Sequence, residues 1–199
     1  MYQKYIKNIL DFILSLILII LLSPLFLILS IISKIYEPHG TILFRQDRAG
    51  IYNEPFECLK FRSMKMNAPK NASTWELDDP DSLITPFGKF LRKTSLDELP
   101  QLFNIIRGDM SFIGPRPVIL KERELLDLRA ANGAYKAKPG ITGLSQISGR
   151  DNLSPKDKAY TDGLYANDIS FINDLKIFLK TIPKVLSQDG VSEGKKNFS

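Results

Sequence analysis

The N-terminal segment from Ile9 to Ile32 constrains the fold more than any other part of this 199-residue chain. Its 24 residues are almost entirely aliphatic. As a helix they would measure about 36 Å, enough to cross the roughly 30 Å hydrocarbon core of a bilayer. The segment lacks the small-residue cleavage site of a secretory signal, and a long domain follows it. We therefore interpret it as a retained membrane anchor.

The pair Ser23-Pro24 lies near the centre of this anchor. Proline inside a helix removes one hydrogen bond and clashes with the preceding turn, so we expect a kink. Kinks also occur in helices that span, and both a spanning and a re-entrant topology stay open. Lys4 and Lys7 precede the anchor, and six basic residues follow it between Lys34 and Lys65. That excess indicates that the C-terminal side is cytoplasmic.

The composition excludes several classes of protein. The single cysteine, Cys58, rules out an internal disulfide, and with the single histidine, His39, it argues against the usual zinc sites and against Cys-His or Ser-His catalysis. The formal net charge is +5. Because no recognisable nucleic-acid module is present and the charge sits beside an anchor, anionic lipid is a better partner than nucleic acid.

The segment from Thr41 to Met64 contains two short extended pieces around the turn-like sequence AGIYNE, which predicts a β-hairpin. Lys60 and Arg62 alternate with Phe61, so an extended segment places both basic groups on one face. They have two interpretations, a solvated strand face or a contact with phosphate or lipid headgroups. Cys58, within the second piece, is typical of a small buried thiol rather than a nucleophile.

The centre of the chain carries two adjacent acids, Asp97 and Glu98. Ser95 is a good N-cap, Glu98 follows it at capping-box spacing, and apolar residues then recur at helical intervals until a glycine. This pattern predicts a helix whose N-terminus bears both acids, provided that Pro100 falls within the first turn. Such a position favours ionised carboxylates, and adjacent helical residues point about 100° apart, so they do not share one proton. They are either cap residues or two separate ligands or nucleophiles.

Basic side chains surround these acids in the sequence, namely Arg92, Lys93, Arg107 and Arg116. The last belongs to the turn Gly-Pro-Arg-Pro, which presents one guanidinium from a rigid backbone. Arginine forks match phosphate oxygens bidentately. The cluster is therefore either a set of ion pairs or a site that holds a metal and a phosphorylated substrate together.

The remaining segments have simpler patterns. A polar loop is predicted from Asn67 to Ser82, with Trp75 in it packing on the domain, and helix-forming residues run from Val118 to Arg129. The segment KPGITGLSQISGR is predicted to be a turn-rich loop that aims Gln146 and Arg150 at a ligand. Residues 168–186 form a basic amphipathic helix, which either covers the core or lies on an anionic leaflet.

Three stretches carry a resemblance to a known family: LKFRSM, FGKFLRKTSLDELPQLFNIIRGDMSFIGPRP and KPGITGLSQISGRDN. Together they resemble the bacterial sugar transferases known as monotopic phosphoglycosyl transferases, over roughly residues 1–190. The resemblance implies an α+β, mostly helical fold with a short β-hairpin and interfacial amphipathic helices. It also implies an anchor at 1–36, re-entrant with a break at Ser23-Pro24, a cytoplasmic catalytic domain at 37–187 and a flexible tail at 188–199.

The family transfers a phosphosugar from a UDP-sugar to undecaprenyl phosphate and releases UMP, at the cytoplasmic face of the bacterial inner membrane. By resemblance, Asp97 is the nucleophile that forms an aspartyl phosphosugar. Glu98 supports the metal or the acceptor step, and Mg²⁺ bridges both acids and the diphosphate. Further expected partners are anionic lipids, downstream glycosyltransferases and a second copy of the chain.

Arg92, Arg116 and Arg150 match family positions that contact the phosphates or uridine of the donor, with Lys60 and Gln146 as further candidates for substrate binding. The chain departs from the family at Ser145-Gln146-Ile147, where Ala-Gln-Val is commoner, and at Asp151, where Asn is commoner. Two rival classes use the same features differently. A metal-dependent phosphohydrolase needs no acceptor, and a noncatalytic scaffold needs the anchor and basic face but not the acid pair.

Overall fold

The fold is described by a computed structural model over residues 1–69, 79–149 and 152–187. Trp75, Arg150 and the predicted tail at 188–199 lie outside these ranges. Within them the chain is mostly helical with short strands, as the sequence predicts.

The helices are α1 (Lys7–Tyr36), α2 (Pro80–Leu83), α3 (Pro86–Lys93), α4 (Gln101–Arg107), α5 (Arg123–Asn132), α6 (Leu144–Ser148), α7 (Pro155–Asn167) and α8 (Phe171–Ser187). The strands are β1 (Leu43–Ala49), β2 (Pro55–Phe61), β3 (Ser111–Ile113) and β4 (Gly140–Thr142). A π-helical turn, Tyr2–Ile6, precedes α1, and 3₁₀ turns occur at Ile51–Asn53, Leu96–Glu98 and Ala134–Lys136.

The aliphatic anchor forms the single long helix α1, which passes through Pro24. Pro24 has no N–H to donate to the carbonyl of Ile20 four residues earlier. The hydroxyl of Ser23 donates to that carbonyl instead, at 2.8 Å. This side-chain bond replaces the missing donor, so the predicted break at Ser23-Pro24 is a point within one helix rather than an end of it.

One face of α1 lies against the rest of the protein along the whole helix. Its buried residues are Lys7, Asp11, Ser15, Leu29 and Ser33. Between Ser15 and Leu29 the contact continues through half-buried aliphatic side chains that join the core under α4. The opposite face is apolar and exposed, as at Leu21, which is 68% accessible. A helix of this kind needs an apolar environment outside the protein.

A buried polar junction joins the start of α1 to the end of the domain. The carboxylate of Asp174, in α8, accepts from Lys7 Nζ at 2.6 Å and from the Tyr2 hydroxyl at 2.7 Å. The Tyr165 hydroxyl, from α7, lies 2.8 Å from the other oxygen of Asp174. Burial raises the pKa of Tyr165, and the negative charge of Asp174 adds to the effect. The phenol is therefore neutral and able to donate.

The predicted hairpin is confirmed, since β1 and β2 pair antiparallel with Phe44 opposite Lys60. Asn104 of α4 fixes the outer edge of β2. Its Oδ1 accepts from the Leu59 N–H at 2.9 Å, and its Nδ2 donates to the Glu57 carbonyl at 2.7 Å. Cys58 is buried in this strand, as predicted.

Three sequence predictions of local structure need correction. The segment KPGITGLSQISGR is not a plain loop, because it contains β4, which pairs parallel with β3, and the helix α6. The helix predicted from Val118 begins only at Arg123, since the preceding residues pair with β1 through Ile119. The polar loop expected through Ser82 ends earlier, in the short helix α2.

The basic amphipathic helix near the C-terminus is present as α8. It rests on the domain through Asp174 and Ile177 and exposes an apolar face. The exposed apolar side chains are Phe171, Ile172, Leu175, Phe178, Leu179 and Ile182. Together with the outer face of α1 they form an extended apolar surface.

Candidate active site

The two acids lie in the 3₁₀ turn Leu96–Glu98, just before α4. Ser95 is not the helix N-cap, because it adopts a left-handed conformation (φ 57°) with no side-chain cap bond, and the helix start lies after it, as the condition on Pro100 requires. A helix starting at Ser95 would place Pro100 in its second turn, where a backbone N–H is needed and proline has none. The α-helix therefore starts after Pro100, and it ends at Gly108 as predicted.

Glu98 is held between two cations. Lys60 Nζ, from β2, lies 2.7 Å from Glu98 Oε1, and Arg116 Nη2 donates to the same oxygen at 3.1 Å. Lys60 Nζ also lies 3.9 Å from Asp97 Oδ2. The hairpin, the acid turn and the Gly-Pro-Arg-Pro turn thus meet at one point, although they are far apart in the sequence.

Asp97 is 7% exposed. Burial raises the pKa of its carboxyl, an effect opposed by Lys60, reinforced by the charge of Glu98 and opposed again by Arg92 and Arg116. Loss of hydration favours the neutral form of a carboxyl, whereas nearby cations favour the anion. Asp97 is therefore a desolvated carboxylate whose charge depends on the basic side chains around it.

Arg92 reaches this cluster from the C-terminal end of α3. Its Nε donates to the Ser63 hydroxyl at 3.0 Å, which orients the guanidinium, and its charge acts on Asp97. The other basic residue of the predicted strand face, Arg62, turns away. It donates to the Thr41 carbonyl at 2.9 Å and stacks on the Phe44 ring.

Gln146 lies on α6, where its Nε2 donates to the Ile141 carbonyl at 2.9 Å. Its Oε1 is buried and has no hydrogen-bond partner among the described residues. Five of the predicted site residues therefore come together, while the hydrogen bond of Gln146 goes to the backbone of Ile141 and Arg150 falls outside the description.

The glycines of the Pro-Gly-Ile-Thr-Gly motif serve the backbone rather than forming an open phosphate cradle. A Cβ at Gly140 would collide with the backbone N of Gly114, and one at Gly143 would collide with the Gly114 carbonyl. Only glycine lets these two segments approach so closely. The motif is pressed against the turn that carries Arg116.

Arg48, Arg129 and Asn104 were missed by the sequence analysis. Arg48, on β1, donates from Nη1 to the Pro117 carbonyl at 3.0 Å, directly beside Arg116. Burial lowers the pKa of Arg48. Arg48 alternates with Phe44 and Gln46 along β1, and Phe44 pairs with Lys60, so Arg48 lies on the Lys60 face of the hairpin; this alternation was the available signal. For an arginine buried in a helix, such as Arg129, the sequence contains no comparable pattern.

The acid pair also fits a divalent cation. Within residues 1–69, 79–149 and 152–187, no three His, Cys, Asp or Glu side chains cluster as a complete protein-only metal site. Mg²⁺ in phosphate chemistry commonly takes one or two carboxylates and completes its shell with substrate oxygens and water. Asp97 and Glu98 supply that number of carboxylates.

These features define an α+β domain with a long apolar N-terminal helix and a desolvated acid pair among basic side chains. Sequence comparison gives its family. The profile of the bacterial sugar transferases matches residues 2–188, so the chain belongs to that family.

Named relatives are similar over nearly the whole chain. The undecaprenyl-phosphate galactose phosphotransferase of Salmonella typhimurium is 38% identical over 202 residues, which cover 94% of this chain and 42% of that protein. The UDP-glucose:undecaprenyl-phosphate glucose-1-phosphate transferase of Caulobacter vibrioides is 37% identical over 192 residues, covering 92% and 70%. The exopolysaccharide production protein ExoY of Sinorhizobium fredii is 40% identical over 200 residues, covering 92% and 87%.

The relatives differ in size. The chain spans 42% of the length of the Salmonella relative and of similar proteins from Haemophilus influenzae and Erwinia amylovora. In this chain, the residues that match the family profile, 2–188, include α1, the acid pair and the three basic side chains around it.

Proposed function

We propose that this protein transfers a phosphosugar from a UDP-sugar to undecaprenyl phosphate, the first membrane step in assembling a glycan. The observation that carries the proposal is Asp97, a desolvated carboxylate beside Glu98 and within the field of Lys60, Arg92 and Arg116. The names of the Salmonella and Caulobacter relatives support the acceptor, and that of the Caulobacter relative supports a UDP-linked donor.

The proposed reaction has two steps. A carboxylate oxygen of Asp97 attacks the sugar-linked β-phosphorus, forming an O–P bond while the bond from that phosphorus to the bridging oxygen breaks and UMP leaves with the electron pair. A phosphate oxygen of undecaprenyl phosphate then attacks the same phosphorus. The aspartyl bond breaks, Asp97 returns as a carboxylate, and the lipid diphosphate sugar is released.

The basic side chains are suited to this chemistry because every participant is an anion. Arg116 and Lys60 already hold Glu98, and a donor diphosphate entering the cluster would find these cations and Arg92 oriented in advance. A bound Mg²⁺ held by Asp97 and Glu98 would neutralise diphosphate charge that otherwise repels the nucleophile. Gln146 and Arg150 remain predicted substrate contacts.

The acceptor is a lipid, so we place the domain on the membrane with its bulk at the cytoplasmic face. Support comes from α1, whose buried face contacts the domain from Lys7 to Ser33. If α1 crossed the bilayer, one of its ends would lie on the opposite side of the membrane from the domain and could not contact it. Contact at both ends favours a re-entrant anchor lying in one leaflet, with the exposed apolar face of α8 beside it.

The test of the reaction is UMP release by detergent-solubilised protein with Mg²⁺ and a panel of UDP-sugars, with and without undecaprenyl phosphate. We expect acceptor-dependent UMP from one or a few sugars. Asp97→Asn should nearly abolish turnover. Lys60→Ala, which removes one charge-assisted contact, should cost about 1.5–3 kcal/mol, or roughly 10- to 150-fold.

The rival functions give different results in the same assay. A phosphohydrolase would release phosphate without the acceptor, and a scaffold would be indifferent to Asp97→Asn. Equal losses for Asp97→Asn and Lys60→Ala would contradict the role given to Asp97. Retained UMP formation by folded Asp97→Asn protein would exclude the aspartyl intermediate.

The topology has its own test in intact cells. Lys4→Cys and His39→Cys place one thiol before and one after the anchor, while the native Cys58 is buried and serves as a silent background. A membrane-impermeant thiol reagent added outside spheroplasts should label neither new thiol if both ends face the cytoplasm. Labelling of Cys at position 4 alone would show a spanning helix.

A further inference from the structure

The backbone around Arg116 is fixed on both sides by hydrogen bonds. Before it, the Gly114 N–H donates to the Thr142 carbonyl at 2.9 Å, and the Gly140 N–H donates to the Pro115 carbonyl at 2.9 Å. These bonds tie the turn to β4. Pro115 and its counterpart after Arg116 also restrict the backbone dihedrals of the turn.

After these bonds, three successive carbonyls are each held by a separate donor. Arg129 Nη1 donates to the Arg116 carbonyl at 3.0 Å, and Arg48 Nη1 donates to the Pro117 carbonyl at 3.0 Å. The Ala49 N–H donates to the Val118 carbonyl at 2.9 Å. Two of the three donors are thus arginine side chains that reach the turn from opposite elements, α5 and β1.

The remaining N–H groups of each guanidinium that form hydrogen bonds donate to an acceptor behind the turn. Arg129 donates from Nε and Nη2 to Asp162 Oδ2 at 2.9 and 2.6 Å. Asp162 is 1% exposed and also accepts from the Ser145 hydroxyl at 2.8 Å. On the other side, Arg48 donates from Nε and Nη2 to Gln46 Oε1 at 3.0 and 2.6 Å.

Burying two arginine side chains costs free energy, which is offset only if they fix the position of another group. Burying a guanidinium removes strong hydration, and Arg129 is only 6% exposed. An apolar pair would join α5 and α7 at less cost, but it would leave the Arg116 carbonyl without its donor. The planar fork of arginine binds a carboxylate with two N–H groups and still aims a third at the turn, which lysine does not do.

We propose that Arg48 and Arg129 form a two-arginine clamp, held by Gln46 and Asp162, that positions Arg116 for the reaction. They are positioning residues, since their guanidinium groups are directed at the turn and at Gln46 and Asp162, and they act through the backbone of Arg116. The inference rests on the proposed function, in which Arg116 contacts the donor diphosphate. A misplacement of about 1 Å in such a group costs on the order of 10²-fold in rate.

The clamp also accounts for the position of α6. Through Ser145, Asp162 ties α6 to the same buried pair that holds the Arg116 carbonyl. The departure from the family at Ser145, where alanine is commoner, thus adds a hydroxyl donor to the clamp. The helix α6 and the turn that carries Arg116 are thus both tied to the buried Arg129–Asp162 pair.

The experiment is a double-mutant cycle on kcat/KM for UMP release by the 199-residue chain. Arg129→Lys should lower kcat/KM about tenfold, and Arg116→Ala should lower it about 10- to 100-fold. Because Arg129 acts through Arg116, the double variant should be no worse than Arg116→Ala alone. Losses that multiply would overturn the clamp.

A matched control separates positioning from simple stability. Asn132 also joins α5 to α7, donating to the Ala159 carbonyl at 2.6 Å, but it has no contact with the turn among the described residues. Asn132→Ala should lower Tm yet leave kcat/KM of the folded enzyme within about twofold of wild type. A loss as large as that of Arg129→Lys would show that any loosening of α5 and α7 suffices, and would overturn the proposal.

A readout without turnover distinguishes failure of the clamp from failure of the proposed function. The Nε–H signal of Arg116 in ¹⁵N NMR, assigned by its loss in Arg116→Ala, should broaden and exchange faster in Arg129→Lys and in Arg48→Lys. Arg48→Lys leaves the α5–α7 ion pair intact and tests the clamp from β1. An unchanged Arg116 signal in either folded variant overturns the clamp, whereas wild-type protein that makes no UMP overturns the reaction.

Discussion

Replacing Asn104 with alanine tests how the site is held together. This side chain is completely buried and makes three hydrogen bonds, to the Leu59 N–H at 2.9 Å, the Glu57 carbonyl at 2.7 Å and Asp109 Oδ2 at 3.2 Å. It joins α4, which follows the acid turn, to β2, which carries Lys60. Asn104→Ala removes all three bonds and leaves two backbone groups of β2 without partners.

The magnitude follows from those two orphaned groups. A buried donor or acceptor that loses its partner costs about 1–3 kcal/mol, and the Glu57 carbonyl is only partly buried. We therefore expect Asn104→Ala to lower the free energy of unfolding by about 2–4 kcal/mol. For a chain of this length each kcal/mol shifts Tm by roughly 2–4 °C, which gives a fall of about 5–15 °C.

The assay is thermal unfolding in one detergent, with Asn173→Ala as the matched control. Asn173 uses the same Nδ2 atom to bond Asp168, but these bonds are exposed to solvent. Its loss should change the free energy of unfolding by no more than about 0.5 kcal/mol. If the two variants lower Tm equally, the burial of the Asn104 bonds does not decide their contribution, and the reasoning fails.

Two further changes test other parts of the fold. Lys7→Met leaves the buried Asp174 carboxylate without its cation and should lower the free energy of unfolding by about 3–5 kcal/mol. The control Lys4→Met removes an exposed lysine and should lower it by less than about 0.5 kcal/mol. Both effects are measured as shifts in Tm, and equal shifts would refute the buried pair. Burial raises the pKa of the Cys58 thiol, so the native protein should resist iodoacetamide at pH 8.5 and react only when it is unfolded. Fast labelling of the native protein would contradict this. Because the unfolded thiol ionises at lower pH than the native one, Cys58 should lower stability as pH rises above about 8.5, a slope that Cys58→Ala removes.

The sequence predicted those elements whose signal is local and periodic. The anchor, the hairpin and α8 were found because their apolar residues recur at the spacing of one element, and their ends coincide with turn residues. The start of α4 was left open between Ser95 and Pro100 because two local signals disagree. Ser95 and Glu98 have capping-box spacing, but the missing N–H of Pro100 outweighs that preference and moves the helix start beyond it.

The structure brings together charged residues that the sequence analysis had grouped, whereas the residues that support them were missed. Asp97, Glu98 and Arg116 lie in a dense motif that resemblance made interpretable. Arg129 and Asn104 owe their roles to partners 33 and 45 residues away. No window of sequence shows which buried side chain meets which backbone group, because that depends on the packing of whole helices.

The junction of Lys7 with Asp174 has a consequence for biogenesis. These residues are 167 positions apart, so the partner of Lys7 is among the last parts of the domain to be synthesised. During translation α1 leaves the ribosome long before α8, and until then the opposite charge near Lys7 is Asp11, one turn along the same helix. The order of synthesis thus makes the bonds from Lys7 and Tyr2 to Asp174 a late folding step, which closes α8 onto the start of α1.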